Sequence, residues 1–300
     1  MSKNNYFYAF IVVFSAGLSW SFGAVVVKHM DQANLYVFQY LFYRGFSIAL
    51  ILLIYLFIRE GLNFYKNFFK IGFSGILGGI CLATAFTGFI YSITITSAAV
   101  TLFMLAAMPF IAAIFGYFFL GELLSRSTLI SMIIAFIGVC VMIYNDSISG
   151  TILGALLGFL SATGFALYTV TIRWKPETPK FTTVVLAGLF CTIFSFFALG
   201  LSFDSFEMMP TKNSYLSLLH GIFVATGLIL YSLGAKYLPS AELALMSLME
   251  VVGGVLWVWL PIFGINETPS LTVIIGGLVI TIAVIYHGFS SSKRREPITL

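Results

Sequence analysis

Ten apolar stretches, each close to twenty residues long, run through the 300-residue sequence. They cover residues 6–27, 35–58, 71–94, 98–120 and 128–144, then 151–172, 182–203, 215–235, 241–263 and 271–289. About 20 apolar residues are what a helix needs to cross roughly 30 Å of hydrocarbon. Lipid offers the backbone no hydrogen-bond partners, so these stretches are predicted to be helices. The short alternating segments of a β-barrel are not seen. Composition points the same way. Charged residues are 9% of the chain and hydrophobic residues 60%, against about 25% and 45–50% in soluble domains. So little charge cannot cover a water-facing surface. The predicted fold is therefore all-α, an integral membrane protein of ten transmembrane helices. The connections are too short to hold a soluble domain. The first stretch lacks a clear cleavage site and reads as a retained helix, not a signal peptide.

The cations map the topology. With the N-terminus placed in the cytoplasm, the predicted inner segments hold twelve Lys and Arg residues. They include Arg59, Lys66, Lys70, Arg126, Arg173, Lys175 and Lys236. The outer segments hold only Lys28 and Lys212, and Arg44 lies within a span. This bias predicts a multi-pass protein of the cell inner (plasma) membrane with both termini cytoplasmic. The net charge of +4 carries no nucleic-acid meaning; the expected surroundings are lipid. Cys81, Cys140 and Cys191 all lie in apolar stretches, so neither disulfide nor metal is expected. Nor do His29, His220 and His287, which fall in a loop or near span ends, suggest a metal.

The chain carries an internal duplication. Gly79-Ile80-Cys81-Leu82-Ala83-Thr84 reads like Gly221-Ile222-Phe223-Val224-Ala225-Thr226. Ser97-Ala98 and Leu102 match Ser240-Ala241 and Leu245; Ile133-Ile134 and Gly138 echo Ile274-Ile275 and Gly276-Gly277. The offsets agree to within two residues, predicting two five-helix repeats, residues 1–146 and 147–300, the second ending in a short cytoplasmic tail. Five is odd, so the repeats would lie inverted in the membrane. That arrangement is common in secondary transporters, where two halves rock about a midplane site.

Several motifs resemble a known family at this point. They are Ser19-Trp20-Ser21-Phe22-Gly23, Lys28 and Arg44; Pro109 and Leu120-Gly121-Glu122; Leu248-Met249-Glu250 and Leu256-Trp257-Val258-Trp259-Leu260; Glu267-Thr268-Pro269-Ser270 and Ile275-Gly276-Gly277. Together, over residues 6–289, they resemble the EamA-type branch of the drug/metabolite transporter superfamily. The resemblance implies two five-helix repeats and export of amino acids or other small metabolites. Val251 stands where the family often has proline, and the stretch from Trp259 to Glu267 is longer than usual.

Ionisable groups inside a bilayer are costly and mark function or pairing. Arg44, Glu242 and Glu250 qualify. Arg44 and Glu250 each fall roughly 14 Å into the membrane from opposite faces, so both reach the midplane, one from each repeat. In the functional reading Glu250 binds a substrate amine or a coupling proton, and Arg44 binds a carboxylate. In the structural one they neutralise each other or bond to helix carbonyls. Glu242 opens its span, where a carboxylate suits the helix dipole. Trp20, Tyr91, Tyr168 and Tyr231 fall inside spans, where a wet cavity would satisfy their polar atoms. Trp257 and Trp259 read as interface anchors. Gly150, Gly154 and Gly158 would let another helix approach, and Gly253-Gly254 could let the ninth span bend beside Glu250.

Catalysis is not expected. No Asp lies in a span, no His is deep, and no GxxxxGK[ST] phosphate loop is present. The reading is a secondary transporter, an exporter of amino acids or related amphipathic compounds working by alternating access, with proton coupling open. Nucleosides, drugs or phosphorylated metabolites are the alternative cargo, and an intramembrane enzyme or receptor ranks below them. No cofactor is implied. Monomer and homodimer are both compatible.

Overall fold

The computed structural model describes residues 3–96, 98–144, 152–175, 177–201 and 207–293. Ten segments are long and apolar enough to cross a membrane, and the described chain is almost wholly helical. They are α1 (Lys3–Lys28), α2 (Val37–Glu60), α4 (Gly72–Ile95), the pair α5 (Ala98–Leu105) and α6 (Met108–Leu120), and α7 (Arg126–Ile143). The second five are α8 (Ile152–Trp174), α9 (Lys180–Leu201), α10 (Thr211–Gly234), the pair α11 (Ser240–Ser247) and α12 (Met249–Trp259), and α13 (Leu271–Lys293). A short helix, α3 (Lys66–Phe69), joins α2 to α4. This is a multi-pass membrane protein. The predicted repeat boundary at 146, Ser97, Gly150, Arg294 and Arg295 lie outside the described residues.

The structure divides the fourth and ninth spans. In span 4, α5 gives way to α6 at Ala106–Ala107, and Ala107 N–H bonds to the carbonyl of Met104, three residues back. In span 9, Leu248 N–H bonds to Leu245 in the same way, and Val251 to Leu248. Tightened turns of this kind interrupt the helical ladder. Pro109 begins the second piece of span 4, while span 9 breaks without a proline. Gly253 and Gly254, expected to bend that span, sit beyond the break and serve packing instead. A Cβ on Gly253 would meet Ser21 Oγ at 2.5 Å, so the glycine is what lets α12 lie against α1. The span also ends at Trp259, four residues earlier than expected. Leu260 is extended ahead of Pro261, whose ring disfavours helix at the residue before it.

Helices from the two halves interleave. α4 packs on α8, α2 on α9, α7 on α13 and α1 on α10. Small residues set these distances. A Cβ on Gly164 would stand 2.6 Å from the Cys81 carbonyl oxygen, and one on Gly158 2.8 Å from Ser92 Oγ. The glycines of α8 thus serve packing within the chain. Many large apolar side chains face outward, among them Ile54, Phe57, Phe118, Ile130, Phe196 and Phe289. On a soluble protein such a surface would be an aggregation site; in lipid it is the contact face.

The bundle has two distinct ends. At one, Arg173 and Glu122 meet the turn from α10 into α11. At the other, Lys28 meets Glu267, and Lys212 meets Asp31.

Candidate functional site

Two connected hollows lie at the heart of the bundle. The inner one is walled by Trp20, Phe86, Phe89, Phe165, Met108 and Leu228, with Arg44, Ser161, His220, Ser247 and Glu250 among its polar groups. The other is a wider vestibule, about 400 Å³, that rises from Trp20, His220 and Glu250 to Lys28, Glu267 and Thr268 at the Lys28 end. On that side the vestibule separates α5, with Leu102 and Leu105, from α12, with Val251, Val255 and Val258. Towards the Arg173 end, α11 packs directly on α6.

The structure brings Arg44 and Glu250 to one cavity. Arg44 is only 6% exposed, and its Nε and Nη1 have no hydrogen-bond partner among the described residues. Its guanidinium lies 4.9 Å from the centroid of the Phe86 ring, a cation–π contact that leaves the N–H edges unspent. Glu250 stands in the first turn of α12, directly after the break in span 9. No protein hydrogen bond or ion pair within 4.0 Å is made by its carboxylate among the described residues. The two therefore do not neutralise each other by contact. A buried charge without a partner is expensive; Arg44 is such a charge, and the partly buried carboxyl of Glu250 faces the same space.

Trp20 lines both hollows. Its indole N–H donates to the Val224 carbonyl at 3.2 Å, and its ring packs edge-on against Phe165. The other three aromatic candidates do not line either hollow. Tyr168 and Tyr231 are fully buried and stacked on each other; the Tyr168 hydroxyl reaches Ser232 at 3.3 Å and that of Tyr231 reaches Thr169 at 2.7 Å. Their polar atoms are satisfied by protein, so they back the cavity wall through Trp20 and Phe165. Tyr91 packs against Phe38 of α2. Trp257, expected at the lipid interface, instead donates to Ser21 Oγ at 2.7 Å and stacks on Phe22. Glu242 lies in the first turn of α11 as expected, and there it also faces His287 Nε2 of α13 at 3.3 Å.

By its sequence position His220 reads first as an interfacial histidine and second as a gate residue, and the structure makes it a cavity residue. It is buried, lines both hollows and is hydrogen-bonded through Nδ1 to the Tyr40 hydroxyl. Its depth along the span suggested an interfacial histidine, but the vestibule carries the water-facing surface down to it. Phe86, Phe89, Phe165 and Met108 were missed for another reason: among 32 phenylalanines and 10 methionines, nothing in a sequence marks the few that face a hollow.

Glycines seat two of these side chains. A Cβ on Gly227 of α10 would fall 2.2 Å from Trp20 Nε1, and one on Gly23 of α1 would fall 2.5 Å from His220 Nε2. Each helix thus provides a notch for the other's side chain. Gly227→Ala is expected to displace the indole at a cost of about 1–3 kcal/mol, the range for overpacking. Thermal unfolding in detergent checks this. The double variant Trp20→Ala/Gly227→Ala should be no less stable than Trp20→Ala alone, and an equal loss in both backgrounds would sink the notch.

Residues 7–144 match the EamA-like transporter family. No curated protein matches the chain. A solved crystal structure, described only as that of a protein, shares the fold with a TM-score of 0.75 at 16% identity, covering 96% of this chain and 99% of that one. That family match spans the first five membrane-crossing segments and ends at Tyr144, just short of the middle of the chain.

Proposed function

We propose that this protein is a secondary transporter that exports small amphipathic metabolites, amino acids foremost, across the inner membrane by alternating access. One observation carries the reading: unpaired Arg44 and Glu250 face a single aromatic-walled cavity. A zwitterion supplies a carboxylate for the guanidinium and an ammonium for the carboxylate. Its apolar side chain fits against Trp20, Phe86, Phe89 and Phe165. Charge-assisted hydrogen bonds of this kind are about twice as strong as neutral ones, and the arginine fork matches a carboxylate.

Phosphorylated cargo ranks lower. A phosphate dianion calls for several cations, and here one guanidinium is accompanied by a carboxylate that would repel it. An uncharged nucleoside would leave both charges unpaired, and a cationic drug would leave the guanidinium unpaired. In the orientation set by the cation bias, the Arg173 end is cytoplasmic and the vestibule opens outward. The two halves are read as inverted repeats, supported by the matched sequence offsets and by breaks at corresponding places in spans 4 and 9. Glu250, at the floor of the vestibule, is also the group suited to carry a coupling proton.

The test is flux. Purified protein in liposomes is expected to exchange labelled amino acids with apolar side chains. Their decarboxylated amines and their N-acetyl derivatives, each lacking one charge, should exchange at least tenfold more slowly. Equal rates for all three classes would remove the zwitterion from the reading.

A further inference from the structure

The two ends of the bundle carry the same device in different states. Arg173 closes α8 and Glu122 follows α6, and these two helices pack together. Arg173 Nε and Nη2 both reach Glu122 Oε1 at 2.7 Å. Lys28 closes α1 and Glu267 follows α12, which also pack together, and Lys28 Nζ reaches Glu267 Oε1 at 2.6 Å. Arg173 stands 145 residues after Lys28, and Glu267 stands 145 residues after Glu122. The backbone agrees: Glu122 N–H bonds to the Gly116 carbonyl and Glu267 N–H to the Val258 carbonyl, each closing the end of its half-span.

Their surroundings differ. Around Arg173 and Glu122, the opposing turn from α10 into α11 is clamped. Arg173 Nη1 donates to the Ala235 carbonyl at 2.6 Å and to the Leu238 carbonyl, and Glu122 Oε2 accepts from Ser240 N–H at 2.8 Å. These side chains are less than one-fifth exposed. The Lys28–Glu267 pair is about half exposed. It lines the vestibule, and so does Ile93 near the C-terminus of α4. The end of α4 is to the first half what the end of α10 is to the second, by the Gly79–Thr84 and Gly221–Thr226 match.

We propose that the two ion pairs are matched latches, one for each end of the transport path. Each pair stays formed within its own helix couple. It closes its end by docking on the carbonyls that finish the opposing span. In this structure the Arg173–Glu122 latch is docked and its end is shut. The Lys28–Glu267 latch is undocked and its end is open. In the opposite state Lys28 reaches the terminal carbonyls of α4, Arg173 leaves Ala235 and Leu238, and α5 closes on α12. Charge-assisted bonds suit such a part because water replaces them when the latch is released. The proposal rests on the transporter reading but is tested by shape, not flux.

Spin labels on Ile93→Cys and Thr268→Cys, with the three native cysteines replaced, report the width of the vestibule in liposomes by pulsed dipolar spectroscopy. Glu122→Gln weakens the docked latch and is expected to move most of the population to a shorter distance. Lys28→Gln removes the undocked latch from an exposed position where folding is not at stake. It is expected to hold the population at the wide distance and to cancel the narrowing when combined with Glu122→Gln. Distances unchanged in both single variants, or narrowing by Glu122→Gln that Lys28→Gln does not reverse, would overturn the latches. Flux of the unmutated protein, measured in the same liposomes, stands apart. Flux with unmoved distances ends only the latch proposal, and shifted distances without flux end only the transporter reading.

Discussion

Glu250→Gln is expected to leave a folded protein that no longer discriminates for the amino group of its cargo and whose transport no longer changes with pH. Glutamine has the shape of glutamate, so the first turn of α12 and the break before it should persist. What disappears is the only carboxylate lining the inner cavity. Hydrogen bonds to charged groups contribute about 1.5–3 kcal/mol, so apparent affinity should fall about 10- to 150-fold. Part of that loss is the ammonium left facing a neutral amide. Because glutamine cannot take up or release a proton, a carrier that couples through this position would also lose its response to a proton gradient. Concentration and pH series of amino-acid exchange in liposomes, with monodispersity in detergent as the folding control, provide the measurement. Normal exchange with a normal pH profile in a folded variant would end the role of Glu250.

Arg44→Met is expected to give the second large effect, and to separate binding from structure. If Arg44 held the bundle together, its loss would unfold it. The structure argues otherwise: two of its three nitrogens make no protein hydrogen bond among the described residues, and its guanidinium lies over the Phe86 face. That contact contributes about 0.5–2 kcal/mol, against several kcal/mol for keeping an ion out of water. Methionine of similar length should therefore leave the unfolding temperature unchanged or raise it. Exchange of amino acids should fall at least tenfold, while any residual transport of the decarboxylated amine should be spared. A marked drop in unfolding temperature with amino-acid exchange intact would assign Arg44 to structure and remove it from the site.

Much of the architecture was legible because one solvent, hydrocarbon, imposes one rule. Each span shows as a run of apolar residues, and most structural ends fall within four residues of those runs. The discontinuities did not show. Hydropathy runs unbroken through Ala106–Ala107 and through Leu248, and span 9 lacks the proline that would announce a break. Gly253 and Gly254 looked like hinge residues, yet the property that makes glycine pliable also makes it small, and here size is what α1 uses. Depth along a helix put Arg44 and Glu250 at one level, but rotation about the axis decides what faces a cavity, and only packing fixes it. The same ambiguity let Tyr91, Tyr168 and Tyr231 stand beside Trp20 as equals, although of the four only Trp20 lines the two hollows. His220 was misjudged because its depth was measured from the lipid surface and not from the floor of the vestibule.

The reciprocal notches of α1 and α10 have a consequence for how this site can change over time. Trp20 depends on Gly227, and His220 depends on Gly23, so the two helices share a single steric account of the cavity wall. A larger residue at 227 is admissible only with a smaller one at 20, and the same holds for 23 and 220. New cargo preference at this wall should therefore arise through paired substitutions across α1 and α10. Libraries that vary positions 20 and 227 together should yield altered selectivity where single-site libraries yield mostly unstable protein.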